Sequence, residues 1–257
     1  MNSSRARKPR NSVRPGQVWA LGEHRLLCGS SLDPKLVERL VGKDKVDAIV
    51  SDPPYGVAYT EGKAGFAPVR MNKTIANDDI SSEEGYAAFT KAWLGPALPH
   101  LARKNSVYAF GSDKMALAMR SGMVGAGITF SQLIIWVKDR AVIGRKDYLP
   151  QHELILFGWH GTHTFRRGKD KTVIFHPRPN KSALHPTMKP VGLVRRLILN
   201  STTIGGVVYD GFGGSGTTLV ACEQTKRRCL MAELDIDYCE TIMRRYERLT
   251  NTKPKLL

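Results

Sequence analysis

The sequence predicts an α/β fold, a mostly parallel central sheet with helices on both faces. Three observations point to it. Short apolar strand-like segments alternate with capped or amphipathic helical segments along most of the chain. Several of these strands run into acidic, proline or glycine turns, and open parallel sheets place ligands at such carboxyl ends. The chain has 257 residues, 42% of them hydrophobic, enough for one large domain with a sizeable core.

The elements follow in order. Residues 1–16 carry five Arg or Lys, no acid and two prolines, and read as a flexible basic tail ahead of a domain at 17–257. Residues 24–29 read as a short strand. Residues 34–41 form a helix with Asp33 as N-cap and Pro34 at its first position. Residues 46–50 are a buried strand that ends at Ser51-Asp52-Pro53-Pro54-Tyr55. Residues 56–80, rich in Gly, Lys and Asn, show no period and predict a mobile loop. Residues 83–101 look helical, with a break or kink imposed by Gly95-Pro96. A strand is expected at 107–110 and a helix at 113–121. Two apolar runs, 130–137 and 153–159, are joined by a long, polar, basic connection. Residues 160–184 are basic and turn-rich. A helix at 191–199, a strand at 207–210, a helix at 217–224, a strand at 229–234 and a helix at 237–249 complete the chain.

Composition narrows the function. Thirty-nine Lys and Arg against 23 Asp and Glu give a net charge of +16, which favours association with polyanions through counterion release. No apolar run approaches the roughly 18–20 residues that span a bilayer. The basic N-terminus lacks the apolar stretch of a signal peptide, so a cytoplasmic protein with no membrane partner is expected. Cys28, Cys222, Cys229 and Cys239 have no Cys-x-x-Cys or zinc-ligand spacing and are expected to be reduced, buried thiols.

Asp52-Pro53-Pro54-Tyr55 carries the chemistry. Consecutive prolines fix the backbone and offer no N–H, leaving the Pro53 carbonyl as a rigid acceptor. A carboxylate and a carbonyl together can accept both hydrogens of an amino group, and an aromatic ring can stack on a planar base. The amino nitrogen of adenine or cytosine is a poor nucleophile because its lone pair is delocalised into the ring. Two acceptors favour a pyramidal nitrogen whose lone pair is free to attack. Pro-Pro dipeptides also mark ordinary turns.

Two further segments matter. Residues 207–221, VVYDGFGGSGTTLVA, run from a strand through a glycine turn into a helix, and the next strand ends in Glu233-Leu234-Asp235. The glycines let a ligand approach the backbone, and a carboxylate at the end of the second strand is placed to accept ribose hydroxyls. The turn is neither a Walker loop nor a G-x-G-x-x-G, so a nucleoside cofactor without phosphates fits better than a nucleotide. His185-Pro186-Thr187-Met188-Lys189-Pro190 reads as a stiff pocket wall. His185 has no partner at ligand spacing, and no metal is expected.

Taken together, the three segments resemble the β-class amino-methyltransferases of DNA, in which the Asp-Pro-Pro-Tyr segment precedes the cofactor loop. The match also takes in Trp136-Val137-Lys138-Asp139. The resemblance implies a Rossmann-like methyltransferase fold with a mixed sheet and S-adenosyl-L-methionine as cofactor. It implies Asp52, Pro53, Pro54 and Tyr55 as the catalytic segment, with Tyr55 stacked on a flipped base. Cofactor contacts would come from Gly29, Ser30, Asp52, His185, Thr187, Lys189, Asp210, Phe212, Gly213, Gly214, Ser215, Gly216, Thr217, Glu233, Leu234 and Asp235. The basic region at about 140–184 would recognise the target, with Lys138, Arg140, Arg145, Lys146, Arg166, Arg167 and Lys169 on double-stranded DNA. A second copy of the chain and a cognate restriction endonuclease are further candidate partners, and the protein would associate with the nucleoid through DNA.

The chain departs from that pattern twice. Gly29 is followed by Ser30 where an acid is common, so contact with the cofactor's adenine is expected to be weakened or to be supplied by Ser31 or Asp33. Asp210 is followed by Gly211 rather than proline, which predicts a less preorganised loop. Asp52 rather than Ser favours N6 of adenine over N4 of cytosine. An RNA or protein-amide substrate and a DNA-binding relative without catalysis are the other readings.

Overall fold

A computed structural model describes residues 13–56, 80, 82–143, 147–178 and 188–257. Residues 1–12, nearly all of the expected loop at 56–80, and Arg145, Lys146, His185 and Thr187 lie outside the described residues.

The elements run β1 (Val18–Leu21), β2 (His24–Cys28), α1 (Pro34–Val41), β3 (Val46–Ser51) and α2 (Glu83–Leu94), then a 3-10 turn (Gly95–His100). Next come β4 (Leu101–Gly111), α3 (Ala116–Gly125), β5 (Thr129–Val137), β6 (His152–Trp159), β7 (Val173–Phe175) and α4 (Val191–Ser201). The chain closes with β8 (Val207–Asp210), α5 (Thr217–Thr225), β9 (Arg228–Glu233), α6 (Ile236–Thr250) and β10 (Lys255–Leu256). The strands form one sheet in the order β10-β1-β2-β9-β8-β3-β4-β6-β5-β7. Its centre, β2-β9-β8-β3-β4, is parallel, whereas β6 runs antiparallel to both β4 and β5. The sheet is therefore mixed and mostly parallel.

Strand alternation sends successive side chains to opposite faces. Val107 and Ala109 of β4 pack with Val37 and Leu40 of α1, Trp93 of α2 and Met119 of α3. Tyr108 and Phe110 join Leu193 and Leu197 of α4, Leu219 of α5 and Ile242 of α6 on the other face. Three helices thus cover each side.

Local signals account for most boundaries. The Asp33 side chain accepts from the Lys35 and Leu36 amides and starts α1. Gly95-Pro96 ends α2 and converts the chain to a 3-10 turn, because proline supplies no amide for the next α-helical bond. Other boundaries differ from expectation. β1, β7 and β10 are too short, at four, three and two residues, to display a period. β4 starts at Leu101 rather than 107, because its exposed first turn, Ala102-Arg103-Lys104, hides the strand pattern. α3 starts at Ala116 rather than 113, since Asp113 and Ser112 hold a preceding turn through the Lys114 and Met115 amides. Residues 13–16 belong to the folded body, not to a tail: Val13 is buried and the Gly16 amide donates to the Cys28 carbonyl. The region 140–184 is no detached insertion either, for it supplies β6 and β7 to the sheet. All four cysteines are buried and free. Among the described residues no helix is long and apolar enough to cross a membrane.

Candidate active site

Sheet register brings the predicted segments to one edge. Cys28 stands opposite Glu233, Asp210 opposite Met231 and Ser51 opposite Ala109. The carboxyl ends of β2, β9, β8 and β3 therefore lie side by side, and the residues that follow them face one cleft. Antiparallel β6 begins where its neighbour β4 ends, since Leu154 pairs with Gly111, and so it adds Glu153 to the same edge.

The glycine turn is tied at nearly every amide. Phe212 N–H donates to Asp210 Oδ1, Gly213 N–H to the Ala232 carbonyl and Gly214 N–H to Glu233 Oε2 at 2.6 Å. Gly216, at φ 77°, caps α5 in the left-handed region that a side chain would disfavour. Gly211 replaces proline to a purpose: its N–H donates to Ser51 Oγ at 2.9 Å and stitches the ends of β8 and β3 together. A proline could not make that bond, so the expectation of a looser loop is corrected. Phe212 packs against Phe89 and Trp93 of α2. Ser215 and Thr217 share a hydroxyl contact at 3.2 Å inside the turn.

Two carboxylates border this turn. Burial pushes Asp210 up to about 7 against hydrogen bonds from Thr218, the Phe212 amide and Ser51. Burial likewise raises Glu233 to about 7, opposed by the backbone amides of Asp235, Gly214 and Leu234. Glu233 accepts the Gly214 amide on Oε2 and the Asp235 amide on Oε1 at 2.8 Å, with the Leu234 amide also against the carboxylate. Neither carboxylate has an ion-pair partner among the described residues. Asp235 is spent differently: its carboxylate caps α6 by accepting from the Asp237 and Tyr238 amides. Leu234 is exposed. Gly29 is buried and its N–H donates to the Glu233 carbonyl. Ser30 Oγ accepts from the Leu32 amide, Asp33 Oδ1 accepts from the Lys35 and Leu36 amides at the start of α1, and Ser31 is buried.

Asp52 sits in a cluster that the sequence did not disclose. Its Oδ1 accepts from the Tyr55 hydroxyl at 2.8 Å and its Oδ2 pairs with Lys189 Nζ at 2.7 Å. The same hydroxyl lies 3.0 Å from Glu153 Oε2, and the same ammonium 3.2 Å from that oxygen. Lys138 closes the cluster on Glu153 Oε1 at 2.8 Å. Burial pushes the Glu153 carboxyl upward, but the Lys189 and Lys138 ammoniums outweigh it and hold it at about 2. Burial alone would lower Lys189, yet Asp52 and Glu153 keep it above its ordinary value. Burial, Asp52 and Glu153 raise the Tyr55 phenol well above its usual range. The Tyr86 hydroxyl takes the Pro54 carbonyl at 2.7 Å, while among the described residues no donor reaches the Pro53 carbonyl. The Lys189 ammonium stands 5.1 Å from the Tyr55 ring centroid, which claims one face of that ring.

The expected DNA contacts separate. Lys138 is 5% exposed and paired with Glu153, so its ammonium is not free for phosphate, and that expectation is corrected. Arg140 is exposed just beyond β5, at the Asp52 edge, with Asp139 at 3.3 Å. Arg166, Arg167 and Lys169 are exposed but lie at the opposite edge. The Arg166 amide donates to the Asn200 carbonyl at the far end of α4, and Asp170 is held by Arg196 and Asn200. α4 starts beside Lys189, and its 11 residues rise roughly 16 Å.

Comparison with known proteins agrees with this architecture. The profile of the DNA methylase family matches residues 46–244. The Type II methyltransferase M.HpaI of Haemophilus parainfluenzae is 24% identical over 250 residues, covering 88% of this chain and 74% of that protein. The crystal structure of the M1.HpyAVI–SAM complex superposes with a TM-score of 0.63 at 21% identity, over 86% of this chain and 98% of that one. The cytosine-N4-specific PvuII DNA methyltransferase superposes with a TM-score of 0.66 at 14% identity, over 94% and 97%. With the family profile spanning most of its length, the chain belongs to the DNA methylase family.

Proposed function

We propose that the chain transfers a methyl group from S-adenosyl-L-methionine to the N6 amino group of adenine in double-stranded DNA. The observation that carries this reading is the pair of acceptors at the end of β3: the Asp52 carboxylate, aimed by Tyr55 and Lys189, beside the Pro53 carbonyl, which no donor among the described residues reaches. Asp210 and Glu233 fit the cofactor. They are buried carboxylates without a cationic partner among the described residues, and the cofactor brings a sulfonium, an ammonium and two ribose hydroxyls. Glu233 lies at the end of β9 beside the glycine turn, where its carboxylate can accept those hydroxyls, and Asp210 sits between the turn and Asp52. S-adenosyl-L-methionine supplies an electrophilic methyl carbon on positively charged sulfur.

Asp52 and the Pro53 carbonyl hold the two amino hydrogens, so the nitrogen lone pair points out of the base plane. When the carbon–nitrogen bond forms, the nitrogen gains positive charge, which Asp52 stabilises before accepting the released proton. The target nucleotide would leave the stack to reach this edge, and the Tyr55 ring is the aromatic surface beside Asp52 on which its base can lie.

N4 of cytosine is the second reading, favoured by the resemblance of the fold to the cytosine-N4-specific PvuII enzyme. Long-read modification sequencing of DNA from cells expressing the chain, with nucleoside analysis of methylated oligonucleotides, tests both. N6-methyladenine at a defined site is expected. N4-methylcytosine instead would overturn the choice of base, and unmodified DNA the activity.

A further inference from the structure

We propose that Glu153 is a positioning residue for methyl transfer: it holds the Lys189 ammonium and the Tyr55 hydroxyl while Asp52 changes charge. This rests on the reading of Asp52 as the acceptor of the target amine and its proton.

The cluster is balanced, with Asp52 and Glu153 against Lys189 and Lys138. Its members are not equally open. The two lysine side chains are each 7% exposed, Glu153 is 21% and Asp52 is 29%. Asp52 is thus the member that an incoming base reaches, and the ammoniums are sealed behind it. Before reaction, Lys189 spans both carboxylates, 2.7 Å from one and 3.2 Å from the other.

Methyl transfer alters this balance at one atom. The methylated nitrogen carries one proton too many. That N–H bond breaks, its electron pair stays on nitrogen, and the proton joins an Asp52 oxygen. Asp52 is then neutral, and Lys189 would be a buried cation without a counter-ion, which is costly. Glu153 prevents this, because it stays ionised and already lies within ion-pair distance of Lys189.

Tyr55 follows the same logic by proton counting. Its hydroxyl has one hydrogen but two carboxylate oxygens in reach, at 2.8 Å on Asp52 and 3.0 Å on Glu153. While Asp52 is ionised, the phenol can donate to it. Once Asp52 carries a proton, the phenol oxygen can accept from Asp52 and turn its hydrogen to Glu153. Both mobile partners of Asp52 therefore fall back on one carboxylate.

Glu153 is suited to the task by its place in the fold. It lies on β6 opposite Trp136 of β5, one residue before β6 begins to pair with β4, so the sheet fixes its backbone. Among the described residues, the charged and titratable groups facing the cluster are Lys138 beyond β5, Lys189 before α4, Asp52 and Tyr55 beyond β3, and Asp210 at the end of β8. Lys138 neutralises the second Glu153 oxygen, which leaves Oε2 for Lys189 and Tyr55.

The test is Glu153→Gln, which keeps the shape and removes the charge, with Glu153→Asp as the conservative variant. Single-turnover methyl transfer to duplex DNA at saturating cofactor should fall roughly a hundredfold in Glu153→Gln, since a small misplacement of reacting groups costs that much. Cofactor affinity, measured by calorimetry, should stay within about twofold of wild type because Glu153 lies outside the glycine turn. Loss of a neighbouring negative charge makes Lys189 give up its proton at lower pH. The Lys189 Nζ titration, followed by NMR on 15N-lysine-labelled protein, should move down, and the alkaline limb of the rate profile with it. Glu153→Asp should recover part of both. If the rate or the Lys189 titration is unmoved in Glu153→Gln, the proposal is overturned. Should Glu153→Gln fail to fold, Glu153→Asp decides by the same two readouts, with smaller displacements expected in the same directions. A wild-type chain that methylates no DNA overturns the functional reading instead, and the Lys189 titration then decides by itself whether Glu153 holds that ammonium.

Discussion

On the proposed function, single side chains at the cleft would divide into those that meet the base and those that meet the cofactor. Asp52→Ala should reduce methyl transfer by about a hundredfold or more, the cost of losing one well-placed acceptor of roughly 3 kcal/mol. Cofactor affinity should hardly change, as calorimetry without DNA can show, since Asp52 pairs with Tyr55 and Lys189 rather than with the glycine turn. Glu233 and Asp210 should behave in the opposite manner. Both carboxyls are raised to about 7, so in the free protein their contribution to stability is fully present below about pH 4 and is lost as pH rises through 7. A cofactor carrying two positive charges and ribose hydroxyls prefers their ionised forms. Its affinity should therefore rise with pH up to about 7 and level off above, with proton release on binding near neutrality. Calorimetry in buffers of different ionisation enthalpy measures this, and an affinity independent of pH would separate these carboxylates from the cofactor. Asp52, Tyr55 and Glu233 were legible in the sequence because their chemistry is written in adjacent residues. Glu153 was not: it contacts Tyr55 from 98 positions away, and one acid at the start of an apolar strand reads as a boundary.

Elements were legible where a cap or a turn states its own geometry. Asp33 before Pro34 marked the start of α1, and Gly95-Pro96 marked the end of α2. β7 and β10 carried no such statement, because their pairing is set by neighbours that the local sequence does not contain. The junction of β8 and β3 shows how a departure from a family pattern can be repaired by another element. The Gly211 N–H donates to Ser51 Oγ, and a side chain at Gly211 would meet Ser31 Cβ at 3.1 Å. Restoring proline should thus harm this chain. Gly211→Pro removes the donor and crowds Ser31, and Ser51→Ala leaves a buried amide unsatisfied, so each should cost about 1–3 kcal/mol. Because both remove one bond, the double variant should cost less than the sum. Denaturant unfolding of the three variants checks it, and additive losses would mean that the bond does not couple the two strands.

At the scale of the whole molecule, the sheet has two edges with different work. Asp52, Glu153, Asp210 and Glu233 gather at the carboxyl ends of the parallel strands, whereas Arg227 precedes β9 at the other edge. Burial lowers the Arg227 guanidinium and the charges of Arg166 and Arg167 lower it further, while the Arg166 amide is bonded to the Asn200 carbonyl at the far end of α4. Among the described residues, Arg140 therefore stands at one edge of the sheet and Arg166 and Arg167 at the other. Composition made DNA binding legible but not its direction, because 160–184 looks uniformly basic until α4 carries Arg166 away from Lys189. A duplex whose target base reaches Asp52 would meet Arg140 before it meets Arg166 or Arg167. Each phosphate contact contributes roughly 0.9 to the slope of log affinity against log salt. Arg140→Ala should therefore flatten the slope for duplex DNA by about one unit, and Arg166→Ala with Arg167→Ala should leave it unchanged. Lys138→Met should also leave the slope unchanged while impairing methyl transfer, since its ammonium serves Glu153. Fluorescence anisotropy across a salt series distinguishes these outcomes. A slope reduced by about two units in the double-arginine variant would put DNA across both edges and require a duplex path around α4.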